Sequence, residues 1–212
     1  MILARLHWEW CRLWLNFTAI VDFPDELYKL VHATHPVSNE AFAALAKPWQ
    51  EVNVKRKQLL TRVDEVEKWL YFVMEGVQRA YFEHNGKEAT LVFSYAPSFS
   101  GVLDSFFTQT PSRFCLETLT ASKLMRIHYN DLMQLIETQA EVERWVRVAL
   151  SHVLAGTLER QVELLSFSAE EKFRALMKRS PHVLNLIPQK YLASYIGIDE
   201  TTFSKMISSI RL

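Results

Sequence analysis

Residues 189–208, QKYLASYIGIDETTFSKMIS, have the spacing of two short helices joined by a tight turn. Gly197 lies where the turn requires a positive φ, and Asp199 can cap the second helix. Apolar residues recur at helical intervals and supply the inner faces of both helices: Leu192, Ala193, Ile196, Ile198, Phe203 and Met206. The stretch therefore predicts a helix-turn-helix, the alternative being an ordinary helical hairpin.

Polar residues cover the outer side of the predicted second helix. They are Thr201, Thr202, Ser204, Lys205 and Ser208. A recognition helix presents a surface of this kind to the major groove of DNA, where side chains bond to base edges and phosphates. We expect these residues to contact DNA, together with Gln189 and Lys190 at the start of the first helix.

The unit around this motif, residues 166–212, is predicted to be all-α and basic. Ser168 and Glu171 form a capping-box pattern at the start of a helix that ends before Pro181. The unit has seven Lys and Arg against four Asp and Glu, a balance of 7 − 4 = +3. Since the whole chain has 24 of each, attraction to nucleic acid must come from a local patch such as this one.

A long helix is predicted over residues 139–165, just before this unit. Its apolar residues form a broad face, and such a face on a long helix often packs against a second copy of itself. The alternative is that the helix packs only on its own domain. We predict a homodimer whose interface includes five residues from the first half of the helix: Val142, Trp145, Val146, Ala149 and Val153.

Short apolar or alternating runs separated by turns indicate an antiparallel β domain over residues 38–138. Asn85-Gly86 lies between two β-rich runs and is a strong hairpin signal, because this dipeptide accepts positive φ at both positions. KWLYFVMEG (68–76) predicts a buried strand, and two further strands flank residues 120–122. Many short strands favour a closed or two-layer sheet, which limits exposed edges. After the strands, Asn130 is predicted to cap a helix.

Residues 1–37 are predicted to form a helical extension. The first 20 residues carry large apolar side chains at helical spacing, interrupted by Arg5, Glu9 and Arg12. These charges argue against a membrane span, and the stretch lacks the cleavage site of a signal peptide. We expect an amphipathic helix packed on the rest of the protein, with a membrane-surface helix and a mis-assigned start codon left open. Ser38 is predicted to cap the short helix that follows.

The composition of the chain argues against several other classes of function. Of the 212 residues, 49% are hydrophobic and 23% are charged, which is ordinary for a globular protein. The two cysteines, Cys11 and Cys115, exclude a disulfide scaffold and an iron–sulfur or four-cysteine zinc site, and they suit a reducing cytosol. Only His84 and His128 fall in the β region, too few for a metal-dependent enzyme on a β-barrel. We predict no catalytic residue, no metal and no cofactor.

The order of these elements resembles the Crp/Fnr family of transcription regulators, and is closest to its Bacteroidetes-type Crp-like branch. The resemblance covers about residues 38–212. It is carried by three segments and their spacing: WLYFVMEGVQRAYFEHNGKEATLVF (69–93), SGVLDSFFTQTPSRF (100–114) and SFSAEEKFRALMKRSPHVLNLIPQKYLASYIGIDETTFSKM (166–206). It implies an α+β protein: an N-terminal antiparallel, jelly-roll-like β-roll of cyclic-nucleotide-binding type with flanking helices, a long dimerisation helix and a C-terminal helix-turn-helix domain. DNA is then the main partner, with RNA polymerase as a further one.

By this resemblance, residues 100–114 stand where cyclic-AMP-binding members carry a phosphate cassette, and we call them the cassette segment. Members have a Gly-Glu pair there and a phosphate-binding Arg about ten residues later. Gly101 matches the glycine and Arg113 the arginine, but Val102 replaces the acid that holds the ribose, and Asp104 is out of register. We predict a vestigial cassette that does not bind cyclic AMP and holds either another small anion or no ligand. Its residues are Gly101, Val102, Leu103, Ser112 and Arg113.

The predicted recognition helix also departs from the family. Members usually carry several Arg or Lys after the helix core, whereas Ile207 and Ser208 occupy such positions here. Arginine bonds to guanine edges in a bidentate way that isoleucine cannot reproduce. Two functions therefore stay open. The first is a dimeric, cytoplasmic DNA-binding regulator, and the alternative is a sensory or protein-interaction module with the same fold and weak or lost DNA binding.

Overall fold

The computed structural model describes residues 25–209, so the helix predicted over residues 1–20 lies outside the described residues. The helices are α1 (Asp25–Thr34), α2 (Asn39–Ala46), α3 (Leu103–Thr108), α4 (Tyr129–Thr138), α5 (Ala140–Ser166), α6 (Ala169–Arg179), α7 (Val183–Leu186), α8 (Gln189–Ile196) and α9 (Glu200–Ser209). The strands are β1 (Gln50–Val54), β2 (Leu59–Thr61), β3 (Trp69–Glu75), β4 (Val77–His84), β5 (Lys87–Tyr95), β6 (Ser98–Ser100), β7 (Cys115–Thr118) and β8 (Ser122–His128).

The strands form two antiparallel sheets, in the orders β1-β8-β3-β6 and β2-β7-β4-β5. The predicted hairpin at Asn85-Gly86 is confirmed, because β4 pairs with β5 up to His84 and Lys87. The predicted buried strand is β3. The two strands around residues 120–122 are also present, but they belong to different sheets and do not form a hairpin. The two-layer antiparallel fold predicted from the sequence is therefore confirmed.

Gly76 carries the chain from one sheet to the other, between β3 and β4. Its φ is +93°, and a Cβ built there would lie 2.3 Å from Oγ of Ser122 and 2.7 Å from the carbonyl oxygen of Ala121. Only glycine avoids both the strained backbone and this overlap. The close approach lets the two sheets face each other across a narrow interior.

Most of the side chains that fill this interior are apolar. Side chains of alternating residues on facing strands fill it, because successive residues of a strand point to opposite faces. The buried members of this inter-sheet core are Val54, Tyr71, Val73, Ala80, Val102, Leu116 and Leu124. The β-roll is thus a packed sandwich of side chains rather than an open barrel.

The outer face of the first sheet is covered by helices α1, α2, α4 and the first half of α5. Ser38 caps α2 as predicted, since its hydroxyl accepts a hydrogen bond from the Ala41 N–H at 3.2 Å. The N-cap of α4 is His128 rather than Asn130: Tyr129 is already helical, and Nδ1 of His128 accepts from the Asn130 N–H at 3.2 Å. The prediction for Asn130 was wrong by two positions.

The first half of α5 belongs to the core of its own domain. Val142, Trp145 and Val146 are only 0%, 2% and 7% exposed, and Nε1 of Trp145 donates to the Val31 carbonyl oxygen at 3.1 Å. The prediction that these three residues face a second copy was therefore wrong, because α1, α2 and the first sheet already cover them. Ala149 is half-buried and Val153 is exposed, so only these two predicted interface residues stay on or near the surface.

The C-terminal unit is built from α6, α7, α8 and α9 around a small apolar core. Its buried residues are Phe173, Leu176, Val183, Ile187, Leu192, Ala193, Ile196 and Phe203. The capping box of Ser168 and Glu171 is confirmed. Gly197 ends α8 in the left-handed region at φ +67°, and the Thr202 N–H donates to Oδ1 of Asp199 at 2.8 Å. The two short helices and their turn, predicted from residues 189–208, are thus present in the structure.

Candidate functional site

The cassette segment crosses from β6 to β7 and contains a short helix that the sequence did not predict. Val102 is 4% exposed and packs into the inter-sheet core, while Gly101 and Leu103 beside it are half-buried. Because α3 begins at Leu103, Asp104 lies exposed on a helix. Asp104, which is out of register in the sequence, also points away from the inter-sheet core, so this acid does not replace the missing one.

A different carboxylate occupies the position next to Val102. Glu67, 2% exposed, precedes β3, and its Oε2 accepts from the Val102 N–H at 3.5 Å and from the Thr61 hydroxyl. Its Oε1 accepts from the Trp69 N–H at 3.1 Å. Burial raises the pKa of Glu67, and these hydrogen bonds partly offset the rise. The site therefore has its own internal acid, already fully bonded.

The backbone and side chains of the cassette segment hold Glu67 in place from the other side. The Glu67 N–H donates to Oγ of Ser105 at 3.0 Å, and Oγ of Ser105 donates to the Thr110 carbonyl oxygen at 2.6 Å. Nε2 of Gln109 donates to the Glu67 carbonyl oxygen at 3.2 Å. No short-range pattern separates Glu67 from Glu65 in the sequence, because only this long-range packing buries one of them.

Ser112 and Arg113 have opposite environments although they are adjacent. Ser112 is 1% exposed, and its hydroxyl donates to the Phe114 carbonyl oxygen at 2.7 Å. Arg113 is exposed, and its guanidinium lies 5.7 Å from the centre of the Phe114 ring. Within residues 25–209 it forms no ion pair. The predicted phosphate arginine is thus a free surface cation as far as the described chain shows.

The sequence missed a second cation, Arg126, on the inner side of β8. It shares a strand face with Leu124 of the inter-sheet core, and its guanidinium lies 4.0 Å from the centre of the Trp69 ring. Its buried Nε has no hydrogen-bond partner among the described residues. Burial raises the pKa of the nearby Tyr71, the negative charge of Glu67 raises it further, and the positive charge of Arg126 opposes this.

Several buried polar atoms of the described residues have no hydrogen-bond partner, among them Nε of Arg126, Oε1 of Gln78 and Oγ of Ser100. Both oxygens of Glu67 are bonded to the protein's own N–H and O–H groups, so a ribose hydroxyl would have to displace them. The Arg126 guanidinium can bind an anion. In the described part of the chain, no set of three His, Cys, Asp or Glu side chains could hold a metal ion.

The predicted DNA-contact residues lie on the surface of the C-terminal unit. Thr201, Ser204, Lys205 and Ser208 are exposed along α9, and Gln189 and Lys190 are exposed in the first turn of α8. Thr202 is half-buried, and both its N–H and its hydroxyl donate to Asp199. These two bonds hold the pKa of Asp199 below its ordinary value. Asp199 therefore caps α9 through Thr202, and the other six predicted residues are exposed polar side chains.

The second half of α5 carries the exposed apolar residues that a dimer would need. Four of them, Leu154, Leu158, Val162 and Leu165, form together with the half-buried Leu150 just before them what we call the α5 stripe. Leu154, Leu158 and Leu165 are 61%, 53% and 78% exposed. At the upstream end the stripe joins a groove of about 470 Å³ that is lined by residues of α3, α4 and α5, including Phe107, Met133 and Ile136.

Comparison with known proteins gives the fold but not a sequence family. No protein-family model matches the chain, and no curated protein matches it. Among solved structures, FixK2 from Bradyrhizobium japonicum matches with a TM-score of 0.67 at 17% identity, over 76% of this chain and 83% of FixK2. CLP, the c-di-GMP-responsive global regulator of Xanthomonas campestris, matches with a TM-score of 0.61 at 18% identity, over 81% of this chain and 90% of CLP.

A third structure, a Eubacterium rectale protein assigned to the Crp/Fnr family of transcriptional regulators, matches with a TM-score of 0.64 at 12% identity, over 81% of this chain and 82% of that one. Likenesses at these identities define the architecture: the chain has the fold of Crp/Fnr transcription regulators. In residues 25–209 no helix has the length and apolar character that spanning a bilayer requires.

Proposed function

We propose that this chain is a dimeric, DNA-binding transcription regulator of the Crp/Fnr type. The observation that carries the proposal is the exposed polar side of α9, which follows the short helix α8 and its turn at Gly197 in a chain with the fold of such regulators. An exposed helix of this kind can enter the major groove and contact base edges and phosphates. A promoter-bound regulator lies beside RNA polymerase, which is the protein partner that the proposal implies.

We further propose that the β-roll does not bind cyclic AMP. Val102 packs where a ribose-binding acid would have to stand, and the nearby acid, Glu67, is already bonded to Thr61, Trp69 and Val102. The hydroxyl of Ser112 is likewise bonded within the chain. These observations favour a small anion at Arg126 or Arg113, or no ligand, over a cyclic nucleotide.

The dimer in this proposal is formed by the α5 stripe rather than by the start of α5. Its exposed leucines recur at intervals of four and seven residues, which places them along one side of the helix. An unpaired apolar face of this length is unfavourable in water, and a second copy covers it with an identical face. A dimer of this kind presents two α9 helices to one DNA duplex.

Selection from a random pool of DNA duplexes tests the proposal directly. A dimeric regulator enriches a sequence with two related half-sites, spaced by about one helical turn, roughly 34 Å, or a multiple of it. Lys205→Ala removes the single exposed cation of α9 and should abolish the enrichment, whereas Lys29→Ala removes an exposed lysine of α1 and should not. A pool that stays random with the wild-type protein contradicts the proposal.

The charge of α9 favours a second candidate function, a sensory or protein-interaction module with lost DNA binding. From Asp199 to Ser209 the chain has one basic residue, Lys205, and two acidic residues, Asp199 and Glu200. Phosphate contacts from Lys and Arg supply most of the affinity of a typical DNA-binding domain. Under this alternative, the selection yields no motif while the protein is still dimeric, so one pair of measurements separates the two functions.

A further inference from the structure

Two tyrosines of α8 are each stacked under an arginine from a different part of the protein. Tyr191 and Tyr195 are four residues apart and therefore lie on one side of the helix. The guanidinium of Arg79, from β4, lies 4.0 Å from the centre of the Tyr191 ring. The guanidinium of Arg160, from α5, lies 4.0 Å from the centre of the Tyr195 ring. Helix α8 is thus in contact with both the β-roll and the long helix α5.

Arg79 is one of the largest fully buried side chains of the described chain, 1% exposed. Its Nε donates to Oε1 of Glu117 at 2.9 Å, and its Nη2 pairs with Glu88 at 2.6 Å. It also stacks on Tyr81 at 4.2 Å, so it is held between two tyrosine rings. A buried guanidinium is costly to leave unpaired, and these partners fix its position closely.

The contact from α5 is built around a buried carboxylate. Glu163 is 8% exposed and pairs with Arg160 at 3.3 Å and with Arg179 of α6. Burial alone would raise the pKa of Glu163, but the hydrogen bonds and charges of Arg179 and Arg160 outweigh it and lower the pKa. Arg160 also donates to the Tyr195 carbonyl oxygen. One carboxylate therefore connects the end of α5, α6 and α8.

Ser194, between the two tyrosines, completes the contact by capping the open edge of β5. Its hydroxyl accepts from the Thr90 N–H at 3.0 Å and donates to the Glu88 carbonyl oxygen at 3.0 Å. β5 is the outermost strand of its sheet, so these backbone groups face away from β4 and would otherwise need water. The hydroxyl of Ser194 therefore pairs with edge backbone groups that a neighbouring strand would otherwise pair with.

We infer that these residues form a clamp that holds α8, and with it α9, in one orientation on the β-roll and α5. The clamp residues are Arg79, Glu117, Arg160, Glu163, Tyr191, Ser194 and Tyr195. The C-terminal unit then moves with the β-roll as one body, and displacement of β4 or β5 changes the orientation of α9. The role of α9 rests on the proposed function, but the clamp itself does not involve DNA.

Hydrogen exchange of the Thr90 amide tests the clamp, since this amide donates its hydrogen bond to Ser194 of α8. Tyr191→Leu removes the ring under Arg79 without changing Thr90 or Ser194, and is the decisive variant. Arg79→Met removes the cation, but it also removes the bond that Nη1 of Arg79 donates to Oγ1 of Thr90 at 3.4 Å. Both should accelerate exchange at Thr90 at least tenfold, while amides of the central strand β3 stay protected. Arg174→Met, which breaks an exposed pair with Glu170 on α6, is the matched control and should leave Thr90 unchanged.

Unchanged exchange at Thr90 in Tyr191→Leu overturns the clamp, as does equal acceleration in β3, which shows a general loss of stability. Should Arg79→Met fail to fold, Tyr191→Leu alone decides, because its ring is only half-buried on the surface of the C-terminal unit. The experiment contains no DNA. A failed clamp therefore leaves the DNA-binding proposal standing, and a failed DNA selection leaves the clamp standing.

Discussion

Glu67 and Val102 are in direct contact: Oε2 of the glutamate accepts a hydrogen bond from the backbone N–H of the valine at 3.5 Å. The N–H of residue 102 therefore has a partner although its own side chain is apolar. A carboxylate from the strand-preceding segment satisfies the N–H of residue 102 from within the chain. A side-chain acid at position 102 itself would be the second carboxylate in a small buried space.

Restoring the acid should therefore fail to restore cyclic-AMP binding. Val102→Glu places a charge in the inter-sheet core beside Glu67, and an uncompensated buried charge costs about 3–5 kcal/mol. We expect a lower unfolding temperature and no stabilisation by cyclic AMP in a thermal-shift measurement. Val102→Thr, of similar shape and without charge, is the control and should cost about 1–3 kcal/mol. Binding of cyclic AMP by the glutamate variant would contradict this account of the pocket.

Several local features of the fold were predictable because they depend on neighbours in the sequence. The Asn85-Gly86 turn, the Ser168–Glu171 capping box and the turn at Gly197 all require particular residues at fixed short spacings. The N-cap of α4 was predicted two residues late, since a histidine nitrogen can accept the capping bond as an asparagine oxygen can. The interior of the β-roll could not be predicted in the same way.

A charge on the α5 stripe should separate the dimer without unfolding the chain. Leu154→Glu with Leu158→Glu places two carboxylates on residues that are 61% and 53% exposed. We expect sedimentation velocity to show a dimer for the wild type and a monomer for the variant, with similar circular dichroism. His152→Glu is the control, because residues two apart lie about 200° apart around a helix, which puts His152 opposite Leu154. A monomeric wild type would refute the stripe as an interface.

Glu163→Gln should destabilise the protein in a pH-dependent way. Its pKa is lowered below the ordinary 4.5 because Arg179 and Arg160 outweigh the effect of burial. A carboxylate with a lowered pKa contributes stability at neutral pH, and this contribution is lost as pH falls through its folded-state pKa. We expect a loss of about 2 kcal/mol at pH 7 that shrinks below pH 4.5. If Glu163→Gln lowered the free energy of unfolding equally at pH 7 and below pH 4.5, packing rather than charge would be responsible.

Arg113 and Arg126 make different predictions for a ligand screen. Arg113→Ala removes an exposed side chain and should change the free energy of unfolding by less than about 0.5 kcal/mol. A ligand at 100 times its Kd stabilises a protein by about 2.7 kcal/mol, which a thermal shift detects. We expect cyclic AMP to give no shift. Any shift from inorganic phosphate should vanish in Arg126→Met and persist in Arg113→Ala, and the reverse would restore Arg113 as the ligand residue.

The parts of the site that sequence reasoning missed all depend on contacts between distant residues. The cassette segment packs against Glu67, the alternation of β8 points Arg126 into the roll, and Tyr191 of α8 covers one side of Arg79. The same cause misplaced the dimer interface, since the start of α5 looks like a free apolar face until α1 and α2 cover it. Residue type and local spacing do not indicate which distant residues will pack against one another.

The central claim, that α9 recognises DNA, is tested most directly by fluorescence anisotropy with two duplexes at two salt concentrations. One duplex is the region upstream of the protein's own gene, and the other has the same composition in scrambled order. We predict at least hundredfold tighter binding to the first, falling steeply as salt rises, because phosphate contacts release counterions. Equal and weak binding to both duplexes at every salt concentration would contradict the account.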